Sequence, residues 1–265
     1  LMPTFIRALA AMLLTFLLAT TPTVFAADPT TKAEWLELFN GEDLNDWTVK
    51  ITGQPLGQDK HQTFRVSNGI LEVRYDQYTA FDNQFGHLFY NQPFTHYELL
   101  VEYRFVGEQL RGGPDWATRN SGVMLHAQEP ASMSVDQDFP DSVEAQFLGG
   151  LGNNKPRPTG NVCTPGTEVM LDDALAPHHC SYSSSATFDG DQWVQIRIVV
   201  NGHGDIIHTI GDEAVMRYHS AQLSENASSA GDNPSLKLEG GYIALQSESH
   251  PIDFRRVALR VINAP

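Results

Sequence analysis

Apolar residues recur at every second position along much of this chain, the spacing of half-buried β-strands. In residues 119–128, Val123, Leu125 and Ala127 share one face, and Gly122, Met124, His126 and Gln128 share the other. In 141–150, Val143, Ala145 and Phe147 alternate with Glu144, Gln146 and Leu148. With the apolar set turned to a core, His126, Gln128, Glu144 and Gln146 look out from the opposite surface and can converge on one site. A sheet with one solvated face gives the same pattern with no site at all. The same alternation continues at 97–105, through Tyr97, Leu99, Val101, Tyr103 and Phe105, and at 191–200, through Val194, Ile196, Ile198 and Val200. Asn68-Gly69, between 64–66 and 70–75, reads as a hairpin turn. At 241–248, Tyr242, Ala244, Gln246 and Glu248 oppose Ile243 and Leu245. No helical period is sustained after the first 26 residues. About a dozen short strands separated by turns predict an all-β, two-sheet antiparallel sandwich or jelly roll.

The first 26 residues depart from this pattern. Arg7 precedes an apolar run, and Val24-Phe25-Ala26 offers a small-residue cleavage site. This is the layout of a secretory signal peptide, leaving 27–265 as a single domain. Removing Arg7 takes the formal charge from -15 to -16. So acidic a chain repels nucleic acid and anionic membranes, and a neutral or cationic small ligand suits it better. No later stretch is long and apolar enough to span a membrane. The two cysteines, Cys163 and Cys180, are expected to pair in an exported protein, in the periplasm or outside the cell. They lie within 149–190, a stretch rich in Gly, Pro, Asn, Ser and Thr that is either functional or needs such a staple. No Walker loop, Gly-x-Gly-x-x-Gly or nucleophile elbow occurs, which removes most nucleotide-dependent and serine-hydrolase chemistry.

Four ordered motifs resemble one family. They are Leu38-Phe39-Asn40-Gly41 running on to Asp46-Trp47, the block from Asn120-Ser121-Gly122-Val123 to Ala127-Gln128, Asp138-Phe139-Pro140-Asp141 with Glu144-Ala145-Gln146, and Gly240-Gly241-Tyr242 with Gln246-Ser247-Glu248-Ser249-His250-Pro251 and Phe254-Arg255. Together they are similar to the 3-keto-disaccharide hydrolase domains, across nearly all of the mature chain. The resemblance implies a concanavalin-like jelly roll in an exported bacterial protein that cleaves 3-keto-glycosides, by hydrolysis or by elimination.

A ketone at C3 acidifies the C2 proton of a sugar. Its removal gives an enolate that expels the glycosidic oxygen from C1, after which water adds back. The reaction needs a base at C2, stabilisation of the C3 oxygen and a proton for the leaving oxygen. Glu144 or His126 is expected as the base, with Glu248 or His250 as the second acid/base group. Asn120, Gln128, Gln146 and Gln246 suit hydroxyl recognition, and Trp116 either stacks on a sugar ring or plugs the core. Each has a plainer alternative. His126 is then a sheet histidine, Glu144 a solvated carboxylate or a partner of Arg119, and Glu248 and His250 the ordering groups of a turn. Arg255 shares parity with Val257 and Leu259 and would need an acid partner in the core. No cofactor is required. A divalent metal at the C3 oxygen would draw on His126, Glu144, Glu248 and His250, and Asp136 with Asp138 offers a separate calcium loop. A carbohydrate-binding module on the same fold, or a cell-surface domain with no ligand, remains the alternative to an enzyme.

Overall fold

A computed structural model describes residues 34–229 and 236–264. The predicted signal segment lies outside them. Seventeen strands occur among the described residues. In chain order they begin with β1 (Leu36–Glu37), β2 (Trp47–Ile51), β3 (Phe64–Ser67), β4 (Ile70–Val73), β5 (Gly86–Tyr90) and β6 (His96–Phe105). Next come β7 (Asn120–Ala127), β8 (Val143–Leu148), β9 (Asn161–Cys163), β10 (Thr167–Leu171), β11 (Ala174–Leu175) and β12 (Cys180–Ser181). The last are β13 (Val194–Asn201), β14 (Ile206–Ile210), β15 (Glu213–Leu223), β16 (Tyr242–Ser247) and β17 (Ile252–Val261).

They form two antiparallel sheets, the predicted jelly-roll sandwich. One is ten-stranded, in the order β11-β10-β15-β14-β13-β6-β17-β4-β3, with β1 also paired to β17. The other is seven-stranded, in the order β12-β9-β8-β7-β16-β5-β2. The alternating apolar residues meet between them. Val123, Leu125, Val143, Ala145, Phe147, Ile243 and Leu245 from the second sheet pack with Leu99, Val101, Tyr103, Ile196 and Ile198 from the first. Phe147 stacks on Tyr103 across the sandwich, with centroids 4.2 Å apart and planes 7° off parallel. Burying a side chain of that size contributes about 1.5–3 kcal/mol. The hairpin at Asn68-Gly69 forms as read, with φ of 52° and 76° at the two turn residues.

Register slips at four places among the described strand pairs, and two of these slips alter a sequence-based expectation. In β17 the register slips between Phe254 and Arg256. Arg255 therefore leaves the parity of Val257 and Leu259 and lies on the outer face, where its Nε donates to Glu102 at 2.6 Å. In β7 the pairing with β16 slips between Tyr242 and Ala244, and His126 takes a φ of 51°. An extra residue on one strand turns the following side chains to the other face. Ala127 thus joins Met124 and Ala244 in a small outer cluster instead of the core.

The predicted staple is present. Cys163 and Cys180 are bonded, directly opposite one another across β9 and β12. Among the described residues no helix is long and apolar enough to cross a membrane.

Candidate active site

β8, β7 and β16 lie side by side, and the face they turn away from the core carries the polar residues. Glu144 stands opposite Met124, and Gln146 stands opposite Gly122. Gly122 decides where the Glu144 carboxyl goes. A Cβ on Gly122 would stand 2.5 Å from Glu144 Oε1, 2.8 Å from Cγ and 3.0 Å from Cδ. Glu144 therefore leans from β8 onto β7, through space that any larger residue at 122 would fill. Glu248, just past the end of β16, approaches from the other side. Ser121 Oγ donates to the Gln246 carbonyl at 2.9 Å and holds this end of β16 against β7.

Both carboxyl groups are buried, at 6% and 3% exposure, and neither forms an ion pair among the described residues. Glu248 Oε2 has no hydrogen-bond partner there either. Burial pushes the Glu144 carboxyl up to about 8. Glu248 is raised well above the ordinary carboxylate range, first by burial and then by the charge of Glu144. The two lose their protons as one unit, the second ionisation opposed by the charge the first leaves behind. Near neutral pH burial keeps protons on the pair, and whichever carboxyl ionises becomes a base beside one that stays protonated.

The carboxyls open onto a cavity of 860 Å³, within the range of small-molecule sites. On the β5 side its wall is Trp116 and Phe139, both braced on Phe85: Trp116 stacks at 6.0 Å with planes 7° apart, and Phe139 lies at 4.8 Å. On the β12 side the wall is Arg157, the Cys163–Cys180 bridge, His179 and Tyr182. Trp116 is 53% exposed and Tyr182 74%, so neither is a core plug. Two exposed aromatic rings at one cavity are what a sugar's apolar faces require. Asn120 Nδ2 donates to the Trp116 carbonyl at 3.3 Å, leaving its Oδ1 without a partner. Gln146 Oε1 accepts from Asn161 Nδ2 at 2.9 Å, which leaves its own amide hydrogens for a ligand.

Glu144, Glu248, Asn120 and Gln146 thus line one cavity, and Trp116, left open by the sequence, joins them there. His126 is not with them. The bulge turns its imidazole to the β13–β14 turn, where Nε2 meets the Gly202 carbonyl at 3.0 Å, and burial lowers it to about 4. Gln128 is taken up by the 129–140 loop, donating to Ser132 Oγ at 3.0 Å and accepting from Gln137 and from the Asp141 N–H. Gln246 lies on the polar face opposite His87, fully buried, and both its amide atoms lack partners among the described residues. His250 lines a separate, smaller cavity. Glu144 does not pair with Arg119, which holds Asp191 at 2.7 Å. With His126 and His250 elsewhere, the four side chains on which a possible metal would draw do not converge. Asp136 and Asp138 are exposed loop residues whose charges bear on buried Lys50. Among the described residues no group of three or more His, Cys, Asp or Glu side chains is placed to hold a metal ion.

Tyr182, His179 and Arg157, and Phe139 beyond its place in the third motif, have no site signal in the sequence, because loop residues carry no period. The cysteine pair was the available clue. A bridge that fastens a long loop to a sheet edge makes that loop a wall.

No curated protein matches the chain significantly. Among solved structures, two crystal structures described as glycosyl hydrolase candidates from Parabacteroides distasonis each share 16% identity with it. They cover 86% of this chain and 94% or 100% of their own, with TM-scores of 0.50 and 0.52. Bacillus licheniformis beta-glucanase, at 10% identity and a TM-score of 0.48, covers 88% of this chain and all of its own. The likeness to the two Parabacteroides structures shows the two-sheet fold alone and nothing about the reaction. The sequence itself matches a family profile over residues 34–260, a span that contains all four motifs and both carboxyls. The chain belongs to the family of 3-keto-alpha-glucoside-1,2-lyase-like domains, the 3-keto-disaccharide hydrolases.

Proposed function

We propose that this protein is an exported enzyme that cleaves 3-keto-glycosides by elimination across C1 and C2, followed by hydration. The observation that carries this is the carboxyl pair, buried without cationic partners among the described residues at the floor of a cavity of disaccharide size. One carboxylate of Glu144 and Glu248 takes the C2 proton, and the electron pair moves into the C3 carbonyl as an enolate. Collapse of the enolate breaks the C1–O bond, and the other, protonated carboxyl supplies the leaving oxygen with its proton. Water then adds across the enone and restores a free 3-keto-sugar. Burial serves this chemistry, since a carboxyl titrating near 8 is a far better base for a ketone-activated C–H than one at its ordinary value. Gln146 and Asn120 bind hydroxyls, and Trp116 and Tyr182 stack on the rings. The leader-like first segment and the disulfide support export.

The test is incubation with a 3-keto-glycoside in D₂O, with and without chelator. Deuterium at C2 of the product, lost along with turnover in Glu144→Gln, is the expected result. Intact substrate under every condition, with sugar binding retained in Glu144→Gln, would make the domain a binding module instead. A loss of turnover caused by chelator alone would add a divalent cation at the C3 oxygen.

A further inference from the structure

Two residues beyond Glu248 the chain turns through Ser249, at φ 83°, and places His250 in a different cavity. This second cavity has a volume of 420 Å³ and is lined by His250, Arg119, Gln109, Thr118, Glu108 and the glycine-rich segment 150–152. The imidazole is 3% exposed, wedged edge-on against Phe105 at 5.7 Å, and neither ring nitrogen has a partner among the described residues. Arg119 Nε is likewise buried and unpartnered there, while its two terminal nitrogens hold Asp191 Oδ1 at 3.1 and 2.7 Å. Arg157 adds a second guanidinium. It spends its hydrogens on the carbonyls of Thr118, Arg119 and Gly149 and pairs with no carboxylate among the described residues.

A buried polar atom without a partner costs about 1–3 kcal/mol, so three in one place point to a ligand that satisfies them. The charge points the same way. In a chain of net charge -15, two guanidiniums bear on one imidazole. The carboxylates nearby are Asp191, Glu108 and Asp189, which accepts from Gly152 N–H at 3.0 Å, and all three are exposed and screened by water. Burial, and then the charges of Arg119 and Arg157, hold His250 down to about 4, which leaves it neutral and ready to gain from an arriving anion.

We propose that this second cavity is a binding site for a small oxyanion, a carboxylate or a phosphate group, with His250 and Arg119 Nε as its donors. The volume admits a ligand of monosaccharide size, so the anion is either free or carried on a sugar acid. The site is distinct from the carboxyl pair and does not depend on the cleavage reaction proposed for it.

The test is an NMR titration of the full mature chain with labelled histidine, the His250 signals being assigned by their absence from His250→Gln. Inorganic phosphate, glucuronate and glucose are added separately near pH 7. The expected result is a saturable shift of the His250 resonances with phosphate, with glucuronate or with both, and a rise of its pKa by about one unit or more. Calorimetry should show the same anion binding about tenfold or more weaker to Arg119→Gln. Phosphate alone would identify a free ion, and tighter binding of glucuronate a sugar acid. No saturation by either anion up to about 50 mM, or an equal response to glucose, would overturn the proposal.

Discussion

Replacing Gly122 by alanine is the smallest change that asks whether the reach of Glu144 across β7 matters. The backbone tolerates it, because Gly122 lies within a strand and outside the left-handed region. In that setting alanine is favoured over glycine by roughly 0.5–1 kcal/mol. The new methyl would instead meet Glu144, at 2.5 Å from Oε1 and 2.8 Å from Cγ. Normal contact requires more, so the carboxyl must retreat by roughly 0.5–1 Å. Displacing a reacting group by about 1 Å costs on the order of 100-fold in rate. A flexible glutamate can swing towards the cavity, so the fold absorbs the methyl and the melting temperature stays within about 4 °C of wild type. The assay is consumption of a 3-keto-glycoside by Gly122→Ala, with Glu144→Gln as the inactive reference. We expect kcat/KM to fall about 100-fold in a protein that melts normally. Full activity in Gly122→Ala beside an inactive Glu144→Gln would refute the reasoning, because the carboxyl would then act equally well from another position.

The buried carboxyl also predicts a pH dependence of stability. Glu144 titrates near 8 in the fold against 4.5 when unperturbed, so its contribution is complete below about pH 4.5 and is lost as pH rises through about 8. Glu144→Gln should therefore gain melting temperature over wild type at about pH 9 and not at about pH 4, and equal differences at both would contradict it. His126→Gln should lower the melting point through its lost contact with Gly202 and leave kcat within about threefold; a 100-fold loss would return the imidazole to the chemistry. Trp116→Ala should raise KM roughly three- to tenfold with kcat little changed, as loss of a stacking face does, and an unchanged KM would remove it from the sugar site. Reduction of Cys163–Cys180 should cost about 3 kcal/mol by chain entropy and raise KM, because β12, at the sheet edge, pairs among the described residues only with β9 and leads into the Tyr182 wall; a melting curve and KM unmoved by reductant would contradict both.

The fold was legible because its signal is redundant. Val194, Ile196, Ile198 and Val200 repeat a pattern that Leu99, Val101, Tyr103, Val143, Ala145 and Phe147 repeat again, and all of them meet in one core. A mistaken boundary in any one strand leaves two packed sheets as the only way to bury the rest. The strands β9 to β12 were not legible, since three of them have only two or three residues and β10 only five, too few to carry a period. Their place is set by the disulfide and by pairing to β8 and β15.

The site was legible only where parity runs unbroken from the core. Glu144 and Gln146 follow Val143, Ala145 and Phe147 without interruption, and Glu248 keeps step with Gln246 and Ala244, so alternation places them correctly. His126 and Arg255 each sit at a bulge, where one added residue reverses the count. Nothing in Leu125-His126-Ala127 announces that slip, because a bulge is fixed by the partner strand and by the close approach of Gly241, whose missing side chain admits the His126 backbone. A Cβ at 241 would stand 2.5 Å from the His126 carbonyl carbon. Gly241 and Gly122 thus divide the two expected bases between them: one glycine lets the backbone of β7 bulge and takes the imidazole away, and the other clears the space into which the carboxyl leans.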